Sequence, residues 1–166
     1  MQKIRFGDKD DIKLKIYLET SIFNLYFDRH PINAAKREEA VKLFEQIKAG
    51  DYIAYTSTIV TDELDRDAEP KRSDMLKLRD KYALVQLAVN GEVDRIAELY
   101  LAANIIPQKH FSDAYHIAMT TAHELDYILS FNFEHIVKNK TLDMVSKVNF
   151  QHNYKMIGIY PPGGKK

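Results

Sequence analysis

Residues 111–130 read FSDAYHIAMTTAHELDYILS. The stretch to Leu125 reads as a helix, and DYILS, 126–130, as the strand it feeds. Working outward, four more strand-like runs appear: LKIYL at 14–18, YIAYTS at 52–57, ALVQLAV at 83–89 and KMIGIY at 155–160. Helix-like segments separate them. NAAKREEAVKLFEQIKAG, 33–50, carries Ala34, Val41, Phe44 and Ile47 as an apolar stripe, with Asn33 as N-cap and Gly50 as C-terminal stop. Further helices are predicted from about Thr58, over 70–82, over 92–104 and around 134–151. In the 92–104 segment Val93, Ile96, Ala97, Tyr100 and Leu101 follow the spacing of one buried helix face. Strands alternating with helices require crossover connections, and hence a mostly parallel sheet covered on both faces. The sequence predicts a three-layer α/β/α sandwich, formed as one domain over 1–166 with its core at about 14–160. GDKDD, 7–11, reads as a solvated lead-in and PPGGKK, 161–166, as a frayed tail.

Composition narrows the class without naming a function. The chain has 166 residues, 45% hydrophobic and 29% charged, as expected of a water-soluble domain able to bury one substantial core. The N-terminus lacks the apolar region of a signal peptide, and no apolar run is long enough to span a bilayer, which predicts a cytoplasmic protein with no membrane partner. Without cysteine, the chain has no disulfides, thiolate metal sites or thiol nucleophiles. The 24 basic residues balance 24 acidic ones, so any grip on nucleic acid must come from a local basic patch rather than a global field.

In parallel α/β sheets ligands bind beyond the carboxyl ends of the strands. Glu19 follows the first strand directly, and Asn132 stands two residues after DYILS. Glu63 lies in the first turns of the helix after the second strand, three and four positions beyond Val60 and Ile59, so it projects toward the apolar side. Asp113 occupies the first turn of the 111–125 helix. If these four converge, three carboxylates repel one another, and a divalent cation resolves the conflict. Oxygen ligands suit Mg²⁺ or Mn²⁺ rather than Zn²⁺. Such a cation can activate water and stabilise charge developing on phosphate, which points to phosphodiester hydrolysis. Each residue also has a structural reading. Asp113 suits a helix start for dipole reasons, Asn132 could cap a helix beginning near Glu134, Glu63 needs a partner if inward, and Glu19 could be an ion-paired turn residue.

Other signals are weaker. His30, His110, His116, His123, His135 and His152 contain no i, i+4 zinc pair, and each is read as a core or surface residue. Dinucleotide-binding, P-loop and hydrolase-elbow motifs are missing, and a receiver-type phosphoacceptor lacks its acidic pair and lysine. Lys71, Arg72, Lys77, Arg79 and Lys81 on the 70–82 helix form either a solvated face or a phosphate-contacting strip.

Three segments together resemble the PIN domain, the nuclease fold of many toxin–antitoxin ribonuclease toxins. IYLETSIF, 16–23, resembles its opening strand-plus-acid motif, and TSTIVTDEL, 56–64, its second. IIPQKHFSDAYHIAMTTAHELDYILSFNFEHI, 105–136, resembles its third and fourth together. The resemblance covers about residues 14–160. It implies a Mg²⁺- or Mn²⁺-dependent endoribonuclease with Glu19, Glu63 and Asp113 as metal ligands and Asn132 completing the catalytic set. It further implies an RNA substrate, a homodimer, and an antitoxin protein that occludes the acidic pocket. Two positions depart from the pattern: Glu19 stands where the family normally has Asp, and Asn132 where it often has Asp. One charge fewer and one longer arm predict weaker metal binding. They also raise an alternative, a PIN-like fold that no longer cleaves and serves as an RNA- or protein-binding module.

Overall fold

A computed structural model describes residues 13–164; the 7–11 lead-in lies outside them, as do the last two residues of the tail. The sheet has five strands, all parallel: β1 (Leu14–Leu18), β2 (Tyr52–Ser57), β3 (Val85–Leu87), β4 (Tyr127–Leu129) and β5 (Gly158–Tyr160). Their spatial order is β3-β2-β1-β4-β5. The chain therefore moves outward from β1 to β3, then returns to lay β4 against the other side of β1. Register fixes that junction, with Ile16, Tyr17 and Leu18 opposite Tyr127, Ile128 and Leu129.

Seven α-helices flank the sheet among the described residues: α1 (Thr20–Phe27), α2 (Ala34–Lys48), α3 (Thr58–Leu64), α4 (Lys71–Lys81), α5 (Gly91–Ala102), α6 (Phe111–Ala122) and α7 (Asn139–Gln151). Helices α1, α2 and α4 pack together, as do α5, α6 and α7, while α3 touches both α4 and α6. This is the expected α/β/α sandwich. As the middle strand, β1 is closed in on both faces, and Ile16, Tyr17 and Leu18 are fully buried. Phe23 of α1 and Phe44 of α2 meet edge-on, their rings 6.0 Å apart, which locks those two helices over the core.

The boundaries differ from the sequence expectations for identifiable reasons. Five helices end in a left-handed residue: Gly50, Ala83, Asn104, Glu124 and Asn153. After each, the next amide donates back across the last turn, Asp51 N–H to Gln46, Leu84 to Arg79, Ile105 to Tyr100, Leu125 to Thr120 and Tyr154 to Asn149. These are Schellman closures, which stop a helix and satisfy its last carbonyls. They end α5 and α6 two to three residues earlier than predicted and delay β3 to Val85. The buried face of α2 is Ala40, Leu43 and Phe44, with Ala34 exposed, and Asn33 gives no side-chain cap but donates from Nδ2 to Asp28. The tail is ordered as far as described: Pro162 is buried and Gly164 N–H donates to Pro161. No helix among the described residues is long and apolar enough to cross a membrane.

Two local structures shape the site. Residues 20–27 form α1, which sequence periodicity left unassigned. The last helix starts at Asn139 instead of near Glu134, because the amides of Ile136 and Val137 both turn back to the Asn132 carbonyl. Asn132 caps this turn through Oδ1, which accepts the His135 N–H at 3.0 Å. It is thus a cap, but of a turn rather than of α7.

Candidate functional site

The chain's direction reverses between β1 and β4, and the carboxyl ends of adjacent strands there leave room for a ligand. A cleft of about 450 Å³ opens at that place, and Glu19, Glu63, Asp113 and Asn132 all line it. Residues from four separate segments meet because β1 pairs with β4 while α3 and α6 pack against each other.

Glu19 is the N-cap of α1. Its Oε2 accepts the Ser21 N–H at 3.1 Å, and its Oε1 accepts the hydroxyls of Ser21 at 2.6 Å and Ser130 at 2.5 Å. Its backbone N–H donates to Leu129, so side chain and main chain both stitch β1 to β4. The residue is only 5% exposed. A buried carboxylate is tolerated here because three donors and a helix N-terminus face it.

Glu63 is satisfied differently. Its Oε1 accepts from His116 Nε2 at 2.6 Å, and His116, on α6, is fully buried. The other ring nitrogen lies 2.7 Å from the Tyr17 hydroxyl, which lies 2.8 Å from Ser57 Oγ; Ser57 also accepts the Val60 N–H as N-cap of α3. Burial pushes the His116 pKa down, but the hydrogen bond to Glu63 and the charges of Glu19, Glu63 and Asp113 outweigh it and hold the ring above the ordinary histidine value. Burial likewise pushes Glu63 up, and its bond to His116, with the charge of that ring and of Arg66, brings it below the usual carboxylate value. Both shifts favour an ion pair. In its protonated form the ring donates to Glu63 and to Tyr17, and Tyr17 donates onward to Ser57. That chain of buried bonds fixes the direction of Glu63 from strand β1 outward.

Thr20 Oγ1 is buried at the cleft wall and meets no hydrogen-bond partner in strict geometry among the described residues. It is near enough to Glu63 to favour the carboxylate as a hydrogen-bonding group, yet the contact falls outside strict hydrogen-bond geometry. A buried hydroxyl in this state is costly unless a ligand or water completes it.

On the other side of the cleft, Asp113 Oδ2 lies 3.0 Å from His135 Nδ1, and the His135 ring lies against His110, with centroids 4.2 Å apart. The potential ligand atoms therefore fall into two groups, Glu19–Glu63–His116 and His110–Asp113–His135, each with its atoms mutually within 4.8 Å. The three carboxylates share one cleft but are divided between these groups. Both His116 nitrogens are already engaged, so in the first group it acts behind Glu63.

No protein-family model matches the chain, and no curated protein does.

The histidines are what sequence reading missed. His110 and His116 stand three residues before and after Asp113, and His135 three after Asn132. A search for an i, i+4 pair passes over these spacings. The basic helix α4 supplies none of the cleft lining: Arg72 pairs with Asp65 and Glu69, Arg79 with Asp80, and Lys71 lies 3.9 Å from Asp67. Three of its five cations are thus paired with neighbouring acids.

Proposed function

We propose that the protein is a metal-dependent ribonuclease of the PIN type, hydrolysing RNA phosphodiester bonds with Mg²⁺ or Mn²⁺. The observation that carries this reading is the convergence of Glu19, Glu63, Asp113 and Asn132 on one cleft at the sheet's reversal point. The donor set fits a hard cation: the Glu19 and Glu63 oxygens lie within 4.8 Å, and the Thr20 hydroxyl beside them meets no partner in strict geometry among the described residues. When bound, such a cation supplies Lewis-acid stabilisation of charge on a phosphodiester.

The chain's own residues contribute the rest. Glu19 and Glu63, with Asp113 across the cleft, would hold the ion. His116 aims Glu63 by holding Oε1 at 2.6 Å. Asn132 commits Oδ1 to its turn, which leaves Nδ2 to donate to a water or a phosphate oxygen. Arg66, Lys109 and the exposed Phe111 line a hollow that adjoins Glu63. Two cations beside an aromatic face suit a nucleic-acid backbone with a stacked base. A homodimer and an antitoxin covering the cleft belong to the same proposal.

One observation favours a second reading, a fold that binds RNA or protein without cleaving. Three protein donors already occupy the Glu19 carboxylate, which leaves it little capacity for an ion.

Calorimetry with Mn²⁺ separates the readings. Under the nuclease reading Mn²⁺ binds, and Glu63→Gln or Asp113→Asn abolishes both binding and metal-dependent RNA cleavage. Binding unchanged in both variants refutes the metal assignment. RNA binding without metal-dependent cleavage favours the second reading.

A further inference from the structure

The second group in the cleft differs in chemistry from the first. His110 ends the short 3₁₀ turn Gln108–His110, Asp113 sits in the first turn of α6, and His135 lies in the turn after β4. One ligand atom from each lies within 4.8 Å of the others. An ion held at roughly 2.0–2.2 Å by nitrogen and oxygen spaces its ligand atoms about 3.4 Å apart in a tetrahedral set, so side-chain adjustments of about 1 Å close the group.

Several features prepare it. The side chains of Asp113 and His135 are only 15% and 13% exposed, so both have already lost most of their water. His135 is fixed through its backbone, since its N–H donates to Asn132 Oδ1 and its carbonyl accepts from Thr141 Oγ1 at 2.9 Å. The His110 side chain makes no hydrogen bond among the described residues, so neither of its nitrogens is tied to protein; its ring only rests against His135. Two imidazoles and one carboxylate favour borderline transition ions over Mg²⁺, the opposite preference to Glu19 and Glu63.

We propose that His110, Asp113 and His135 form a binding site for a borderline divalent transition ion, with Zn²⁺ as its type, next to the carboxylate pair. Three protein ligands leave a fourth position open to the cleft, which is the pattern of an accessible site rather than a closed structural one. Asp113 is shared with the hard-cation site proposed above, so Zn²⁺ is expected to oppose the use of Asp113 there. The Zn²⁺ site itself does not depend on the nuclease reading.

The test is calorimetric titration of the full chain with ZnCl₂, with Co²⁺ visible absorption as a second readout. The expected result is uptake of about one ion per chain in an open three-ligand site. His110→Ala and His135→Gln should each weaken it at least about tenfold, the cost of losing even a supporting partner of a metal ligand. The same two variants should lose the Co²⁺ bands, while Glu63→Gln keeps both signals. His110→Ala removes no hydrogen bond, so it remains informative if His135→Gln is unstable. Three results overturn the proposal: no stoichiometric uptake, uptake that survives both histidine substitutions, or uptake lost in Glu63→Gln and kept in His110→Ala. Mn²⁺ binding that fails in Glu63→Gln alone, with Zn²⁺ retained, would leave this site standing.

Discussion

Replacing Tyr17 by Phe removes one oxygen from the middle of the chain that aims Glu63. The hydroxyl lies between Ser57 Oγ at 2.8 Å and His116 Nδ1 at 2.7 Å, and all three residues are fully buried. Ser57 keeps the Val60 N–H as a partner, whereas His116 Nδ1 has no other among the described residues. Orphaning a buried polar group costs about 1–3 kcal/mol, and loss of the second bond about 1 kcal/mol, so Tyr17→Phe should destabilise the fold by about 3 kcal/mol. In a domain of this size that lowers Tm by roughly 9 °C. Tyr100→Phe is the matched control. Its hydroxyl lies 2.8 Å from Thr121 Oγ1 and donates to Asn149 Oδ1 at 2.6 Å, away from the cleft. Its loss should cost a similar amount. Only Tyr17→Phe should also weaken Mn²⁺ binding, because it frees the ring that holds Glu63. Urea unfolding and Mn²⁺ calorimetry on both variants make the comparison. A Tyr17→Phe loss below about 1 kcal/mol, the value of an ordinary exposed bond, would refute the buried relay. Equal effects of both variants on Mn²⁺ would refute its role in aiming Glu63.

Three further outcomes are expected. The Glu63 carboxylate, lowered in the fold, contributes stability above about pH 4.5 that is lost as pH falls through its folded value; His116, raised, contributes below about pH 6.5 and loses it as pH rises through its own. The Tm gap between the native chain and His116→Gln should therefore be widest between those values and shrink on the alkaline side; a gap that is flat from pH 6 to pH 9 would contradict the pair. Asn132→Ala strips the cap from His135 N–H and should cost about 1 kcal/mol in urea unfolding, together with a shift of the His135 ring signals in NMR. Gly50→Ala forces a side chain onto a backbone with φ of +85° and should cost about 1–2 kcal/mol; an unchanged midpoint would mean that the α2 terminus relaxes freely.

The sequence by itself determined the class of fold and most of its elements. Strand and helix periodicities are local, set by side-chain alternation and by the 3.6-residue turn, so LKIYL, YIAYTS and the 92–104 stripe are legible without partners. The place of Glu19 and Asn132 could be read too, since both follow strands that a parallel sheet must end on one edge. Helix ends were less legible. Gly50 announces its left-handed turn, but Ala83 and Glu124 adopt the same conformation under the pull of their Schellman bonds, which no single residue type signals. Helix α1 was hidden because TSIFNLYF has strand-like residues and its cap is a glutamate.

Tertiary structure alone decided the rest. Placing β4 beside β1 brings Ser130 to Glu19 across 111 positions of sequence, and packing α6 near α3 brings His116 to Glu63 across 53. Those contacts turn Glu19 into a triply bonded cap, convert a buried histidine into the support of a carboxylate, and divide the acids between two groups. Spacing along the chain cannot show this, because the interactions that set each side chain's charge and direction act through space once burial has removed water.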